Sequence, residues 1–394
     1  MTVHERVLEL VPALRERASA TEQLRRIPDE SIAALRDAGV FRALVPARHG
    51  GLEIPPPLLW PSLIEVARAC SATGWVASLL AIHGFMLARF DPRAQDEVWA
   101  AGPDALAASG VAPSGTGVAT TDGVRVTGRW SYASGVDHCA WAILNVHVRD
   151  ERAPEASPAS TFVLIPAADF TVEDDWHVAG LRGTGSKSVE LNDVFVPRHR
   201  VVLLKTVQDG TAPGLAIHRQ PFYRLPWYPV FICAFPAVGL GTAIGMLEGF
   251  RSHIRARVDG FSGVAFQTTA GSAVRMAAAA AEIDAARLVF RRDVAALDQA
   301  AQEDRPLRPG ESERIMYDAP FIMDACSRAT LALFRGSGGK ALYDSNPLQR
   351  HFRDLHAMTQ HVAMDLDRAG ETYGRLLFQN ADLALGAREN PHKA

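Results

Sequence analysis

Gly123-Val-Arg-Val-Thr-Gly-Arg-Trp-Ser-Tyr132, Ala140-Trp-Ala-Ile-Leu-Asn-Val-His-Val148 and Thr161-Phe-Val-Leu-Ile165 are runs rich in β-branched and aromatic residues, with turn formers between them. The first alternates apolar and polar side chains, which is the period of a strand. Together they predict an antiparallel β domain between about 106 and 205. Outward in both directions the period changes to three and four. Leu8, Val11 and Leu14, then Ile32 and Leu35, recur at helical spacing, and Leu59 to Phe90 continues the pattern. Downstream, 230–257, Val274 to Leu297, Glu311 to Phe334 and 347–386 read as long helices, jointed at Asp259–Gly271 and Glu303–Gly310. Helices, then strands, then helices means an α+β architecture and argues against an alternating βαβ sheet. The divisions fall at 1–105 for an N-terminal helical domain, 106–215 for the central β domain and 216–394 for a C-terminal helical bundle.

The composition agrees with a folded chain of this size. At roughly 100–200 residues per domain, 394 residues allow two to four domains. With 48% hydrophobic and 22% charged residues, neither global disorder nor a multi-span membrane protein fits. Forty-one basic against 44 acidic residues leave no cationic excess for nucleic acid. Cys70, Cys139, Cys233 and Cys326 form no close pair, so the expectation is reduced thiols in a cytoplasmic protein, without a disulfide framework or zinc knuckle. The N-terminal segment mixes charges every few positions and reads as a retained helix. The uncharged run Pro226 to Leu247 approaches membrane-spanning length, but Pro226, Pro229, Pro236 and three glycines interrupt it. A buried helix with a broken entry is the expectation, with no membrane partner.

Neither GxGxxG after a strand nor GxxxxGK[ST] occurs, so any nucleotide is held by another fold. In Gly128-Arg-Trp-Ser-Tyr-Ala-Ser-Gly135 a strand runs into a small-residue turn. Trp130 or Tyr132 can lie along a planar ligand while Ser131, Ser134 and backbone groups bond its polar edge; the plainer alternative is a core strand ending in a serine turn. Gly180-Leu-Arg-Gly-Thr-Gly-Ser-Lys-Ser188 is either an anion nest or a hairpin connection. Arg335-Gly-Ser-Gly-Gly-Lys340 precedes a helix opening near Pro347, on which His356 and His361 would point about 140° apart. They cannot both face one site, and their spacing does not suit HExxH metal binding. His83 interrupts an apolar helix and needs a partner from protein or substrate.

The strings Ala107-Ala-Ser-Gly-Val-Ala-Pro-Ser-Gly115, Gly128-Arg-Trp-Ser-Tyr-Ala-Ser-Gly-Val-Asp-His138, Gly180-Leu-Arg-Gly-Thr-Gly-Ser186, Asp193-Val-Phe-Val-Pro197 and Gln349-Arg-His-Phe-Arg-Asp-Leu-His-Ala357 resemble the acyl-CoA dehydrogenase superfamily over essentially the whole chain. That resemblance implies a C-terminal four-helix bundle, with a flavin between it and the β domain. The dehydrogenases carry a glutamate base seven or eight residues after the Arg-Asp pair; here His361 stands seven after Asp354, and the next glutamate is Glu371. The chain looks instead like the oxygenase component of the two-component, group D flavin-dependent aromatic monooxygenases, whose members hydroxylate 4-hydroxyphenylacetate or phenolic secosteroids.

This second resemblance implies a separate NAD(P)H:flavin reductase that supplies reduced FMN or FAD by diffusion. It also implies that O2 adds to give a C4a-hydroperoxyflavin, and that one oxygen passes to a phenolic or fused aromatic substrate. By the same resemblance, Ser134 matches the serine near flavin N5, His361 the histidine beside the position of oxygen addition, and His83 the histidine on the substrate hydroxyl. Trp130, Ser131 and Gly135 accompany Ser134 as cofactor contacts; Ser186, Arg275, Gly336 and Gly339 are assigned to the flavin phosphate end, in a homotetramer. The alternatives are an acyl-CoA dehydrogenase-like enzyme with a displaced base and a non-catalytic flavin-binding homologue.

Overall fold

A computed structural model describes residues 1–379 except 153, 154, 156 and 259. Helix α1 (Val3–Leu24) opens on a capping box in which Thr2 and Glu5 bond each other's backbone amides. It is followed by α2 (Asp29–Asp37), α3 (Pro56–Ala69), α4 (Ser71–Leu87) and α5 (Pro92–Val98). Every residue of α4 is buried, as its all-round apolar sequence requires.

The strands are β1 (Ala107–Ala119), β2 (Gly123–Ala133), β3 (Trp141–Arg149), β4 (Ala159–Pro166), β5 (Thr171–Glu173), β6 (Lys187–Pro197) and β7 (Val201–Leu203). They form one sheet in the order β5-β6-β2-β1-β3-β4-β7. All pairings are antiparallel except one: β1 and β3 run parallel, from Ala107 opposite Trp141. That exception corrects the wholly antiparallel expectation. Its cause is topological: β2 turns back on the far side of β1, so the chain must cross over before β3 can pair. One face of the sheet, through Trp141, Ile143, Phe162 and Leu164, joins the core shared with the helices; Trp130, Leu144 and Val163 belong to a second core.

After α6 (Leu204–Gln208) come α7 (Trp227–Ile232), α8 (Ala234–Arg255), α9 (Ala270–Gln302), α10 (Glu311–Ser337), α11 (Pro347–Met358) and α12 (Leu366–Gln379). The apolar run entering α8 is a core helix with 89% of its most apolar stretch buried. It breaks at Cys233, where Pro236 has no N–H to offer the carbonyl of Ile232. Asn346 caps α11, and Pro347 takes its first turn. Helix α11 stops at Met358, so His361 does not ride on it; it begins the short turn Val362–Met364 instead. The angular separation expected between His356 and His361 requires one continuous helix and does not apply for that reason. Position 259 and the part of the 347–386 helix beyond 379 lie outside the described residues.

Candidate active site

Trp75, Leu79 and His83 follow one another at i, i+4 and so share a stripe of α4. Trp75 and Leu79 are 6% and 8% exposed, while no other apolar residue of that helix exceeds 4%. The Trp75 and Leu79 end of the stripe is therefore the most open part of a buried helix, and His83 at 1% lies deeper. Opposite its start runs an aromatic ladder at the same spacing. The rings of Trp227 and Phe231 lie 5.4 Å apart, and those of Phe231 and Phe235 lie 5.6 Å apart. Phe235 meets Trp75 at 5.2 Å, and the His361 ring stands 4.5 Å from Phe235 and 5.9 Å from Trp75.

A buried chain of hydroxyls abuts these rings. Trp75 Nε1 donates to Ser134 Oγ at 3.1 Å; Ser134 and Ser186 hydroxyls are 2.7 Å apart, and Ser186 and Thr184 hydroxyls 2.6 Å. The turn after β2 presents Ser134 because Tyr132 and Gly135 both take positive φ. A Cβ on Gly135 would stand 2.7 Å from Val76, so glycine lets this turn press on α4. The loop carrying Thr184 and Ser186 is held from α11: the Leu181 N–H, on a backbone with φ of 56°, donates to Asp354 Oδ1 at 2.7 Å. Burial pushes the Asp354 carboxyl up to about 6. Arg353 bonds the Ala179 carbonyl at 2.6 Å and pairs with Glu22 of α1.

Hydrogen bonding fixes the tautomers of both histidines. His361 Nδ1 accepts from the Ala363 N–H at 3.1 Å, which leaves the proton on Nε2. His83 Nδ1 faces the Ala107 carbonyl at 2.7 Å and must donate, which leaves a lone pair on a buried, unpartnered Nε2. Burial lowers both imidazoles to about 4, so both are neutral near pH 7. One histidine presents a donor and the other an acceptor.

Ser134, Ser186 and His361 thus come together around Trp75, and His83 stands two turns along the same stripe, roughly 12 Å away. Other assignments change. Trp130 is 1% exposed; its Nε1 donates to the Asn145 carbonyl at 2.7 Å, and its ring fills a slot walled by Gly110, Gly115 and Gly128. It is a sheet-core residue, the plainer of its two readings, because strand alternation turns it away from Ser131. Ser131 bonds Ser188 and Arg129 on the opposite face. Ser186 bonds Ser134 and therefore belongs to the ring end, apart from Arg275, which lies exposed against Gly336. Gly339 has open space around it, and a cavity of about 510 Å³ lined by His253, Lys340, Tyr343 and Asn346 lies beside this loop. His356 packs on Phe352 and Ser327. Sequence reasoning missed Thr184 and the anchoring role of Asp354, and placed Trp75 only within the helical pattern of Leu59 to Phe90; the positive φ at Leu181 that links them has no residue signature.

A family model for the acyl-CoA dehydrogenase C-terminal domain matches residues 233–366. The chain is 39% identical to the flavin-dependent monooxygenase oxygenase subunit HsaA of Rhodococcus jostii (strain RHA1), with 94% of this chain and 96% of that protein covered. The chain belongs to the flavin-dependent monooxygenase oxygenase components. Another relative, the FADH(2)-dependent resorcinol hydroxylase oxygenase component of a Rhizobium species, is 35% identical over 95% of this chain and 93% of that one. The crystal structure of 3-HSA hydroxylase from Rhodococcus sp. RHA1 matches this oxygenase component with a TM-score of 0.91 and 36% identity, covering 96% of this chain and 97% of that one. Membership sets aside a dehydrogenase with a displaced base. It also accords with the buried carboxylate of Asp354 being spent on a backbone amide.

Proposed function

We propose that this chain hydroxylates a phenolic or fused aromatic substrate, indole-like or secosteroid-like, using O2 and reduced FMN or FAD delivered by a separate NAD(P)H:flavin reductase, and that it works as a cytoplasmic homotetramer. The observation that carries the reading is His361: a neutral imidazole with its Nε2–H uncommitted, against Trp75 and Phe235, where a dehydrogenase would need a carboxylate base.

The residues present fit a flavin. Trp75 and Phe235 give flat apolar walls, and Ser134 and the His361 Nε2–H give a polar edge. The phosphate end is assigned to Arg275, Gly336 and Gly339; Arg275 packs against Gly336, Gly339 has open space, and Lys340, next in the chain, lines the 510 Å³ cavity. When bound, reduced flavin supplies the activation of O2 and the transfer of one oxygen atom. Ser134 orients the ring edge. His361 holds a proton on Nε2 for the developing negative charge. Trp75, Phe231 and Phe235 exclude water, which protects reactive oxygen species from wasteful breakdown. The unpartnered lone pair of His83 accepts a hydrogen bond from a phenolic hydroxyl, which orients the substrate and draws electron density toward the ring carbon that attacks oxygen. Residues 1–105, 106–215 and 216–394 act as the three units around this site.

Single-turnover reaction of the enzyme with FMNH2 or FADH2 and isotopically labelled O2, against phenols, indoles and secosteroid phenols, tests the reading by product mass. Labelled product is expected from at least one class, with collapse of yield in folded His361→Ala and Ser134→Ala variants. Flavin turnover without labelled product in every class would refute the hydroxylase, and unchanged yield in the variants would refute the assigned roles.

A further inference from the structure

The protons of the buried hydroxyl chain can be placed one by one. The Leu181 carbonyl has no proton to give, so the Thr184 hydroxyl, 2.8 Å away, donates to it. The same carbonyl also accepts from the Thr184 amide at 3.1 Å and from Trp176 Nε1 at 3.0 Å, which makes it the common end point of three donors. With the proton of Thr184 committed, the 2.6 Å contact to Ser186 must use the proton of Ser186. With that proton committed in turn, the 2.7 Å contact between Ser134 and Ser186 must use the proton of Ser134. Trp75 Nε1 can only donate, so it fills one acceptor site of Ser134. Protons therefore point in one direction, from Trp75 through Ser134, Ser186 and Thr184 to Leu181. Ser134 is left with one free lone pair and no free proton. Exposures of 6% at Trp75 and Ser134, 4% at Ser186 and 1% at Thr184 leave no bulk water to reverse the order.

We infer that Thr184 and Ser186 are positioning residues that hold Ser134 as a hydrogen-bond acceptor, so that the site discriminates between the redox states of its flavin. The inference rests on the flavin reading above, with Ser134 at the N5 edge. Reduced flavin carries a hydrogen on N5 and can donate to the free lone pair of Ser134. Oxidised flavin offers a lone pair at N5 and meets a second lone pair. A component that receives reduced flavin and must release the oxidised form benefits from that sign. Asp354 anchors the loop at the Leu181 amide, and the Leu181 carbonyl at the end of the chain is held by its three donors.

Anaerobic titration of the full-length protein with oxidised and photoreduced FMN, read as the ratio of the two Kd values, tests this. Thr184→Val removes the acceptor for Ser186 at nearly constant volume; Ser186 can then donate to Ser134, and the Ser134 proton becomes free to meet oxidised N5. Ser186→Ala frees the same proton by another route. In both variants the preference for reduced flavin is expected to narrow roughly tenfold, the worth of one hydrogen bond, or about 30 mV in the potential of the bound two-electron couple. Thr184→Ser is expected to keep the wild-type ratio. If the two Kd values weaken together with their ratio unchanged, the hydroxyl chain is merely structural and the inference fails. Should Thr184→Val not fold, Ser186→Ala decides alone. Wild-type protein that binds neither form would overturn the flavin reading itself, an outcome separate from an unchanged ratio.

Discussion

A methyl group on Gly180 has no space to occupy. It would fall on the backbone carbonyl of Arg353, with the carbonyl carbon at 2.6 Å and the Ala357 methyl at 3.0 Å. Carbon atoms pack at about 3.5–4.0 Å, so the loop or α11 must retreat by roughly 1 Å. Overpacking of this kind costs about 1–3 kcal/mol. The same retreat stretches the Leu181 to Asp354 bond, now 2.7 Å, and the Arg353 to Ala179 bond, now 2.6 Å. Each is worth about 1 kcal/mol or somewhat more because a charged group takes part. Gly180→Ala is therefore expected to lose on the order of 3–5 kcal/mol and to weaken flavin binding, because Ser186 rides on the displaced loop and bonds Ser134. Gly374→Ala, on α12 with nothing within 4 Å of the new methyl, is the control; it should stabilise by about 0.5–1 kcal/mol. Urea unfolding and anaerobic flavin titration measure both. Wild-type unfolding and flavin affinity in Gly180→Ala would refute the clamping of this loop between α11 and the sheet.

Burial lowers His83, His218 and His361 to about 4 and His351 to about 3. The folded state binds fewer protons than the unfolded one as pH falls below about 6.5, so this stability is present above that pH and is lost on acidification through the folded values. Urea midpoints should fall between pH 6.5 and 4, and His361→Gln should flatten the dependence; an unchanged slope would contradict the burial of that ring. Arg89 is pinned by the carbonyls of Phe85, Tyr223 and Leu225 at 2.6, 3.2 and 2.9 Å. Arg89→Met leaves three buried acceptors unpaired, at about 1–3 kcal/mol each, and soluble yield with thermal melting should both drop sharply. Asp354→Asn keeps an acceptor for the Leu181 N–H and removes a charge whose burial is unfavourable above pH 6, so its melting near pH 8 should stay close to wild type. Asp354→Ala should lose about 1–3 kcal/mol; equal melting of the two variants would dismiss the amide bond as the reason for an acid at this position.

The change of period at either side of residues 106–205 was enough to order the chain as helices, sheet and helices, because amphipathic periodicity is a local signal. Pro236 likewise marked the break entering α8. The parallel pairing of β1 with β3 was not legible: the turn between β1 and β2 says nothing about which side of β1 the third strand will join. Trp130 and Ser134 shared one promising string, yet alternation along β2 sends the indole into the sheet and the turn alone carries the hydroxyl to the site. His361 was legible as a candidate, but its freedom from α11 depends on where that helix frays. The Asp354 to Leu181 bond spans 173 residues and is invisible to any local rule.

The clamp on the 180–186 loop also bears on how the protein is made. Glu22, near the end of the first helix, pairs with Arg353 across 331 positions, and Thr21 walls in Gly183. A growing chain has completed the strands, Ser134 and the loop long before α11 leaves the ribosome. Until then Leu181 has no carboxylate to bind, and Glu22 has no guanidinium. Contacts of such sequence separation close late, so the ligand-binding centre is a last product of folding. A nascent chain that has not yet released α11 (Pro347–Met358) has formed the loop without the Arg353 and Asp354 that clamp it, which exposes it to chaperones.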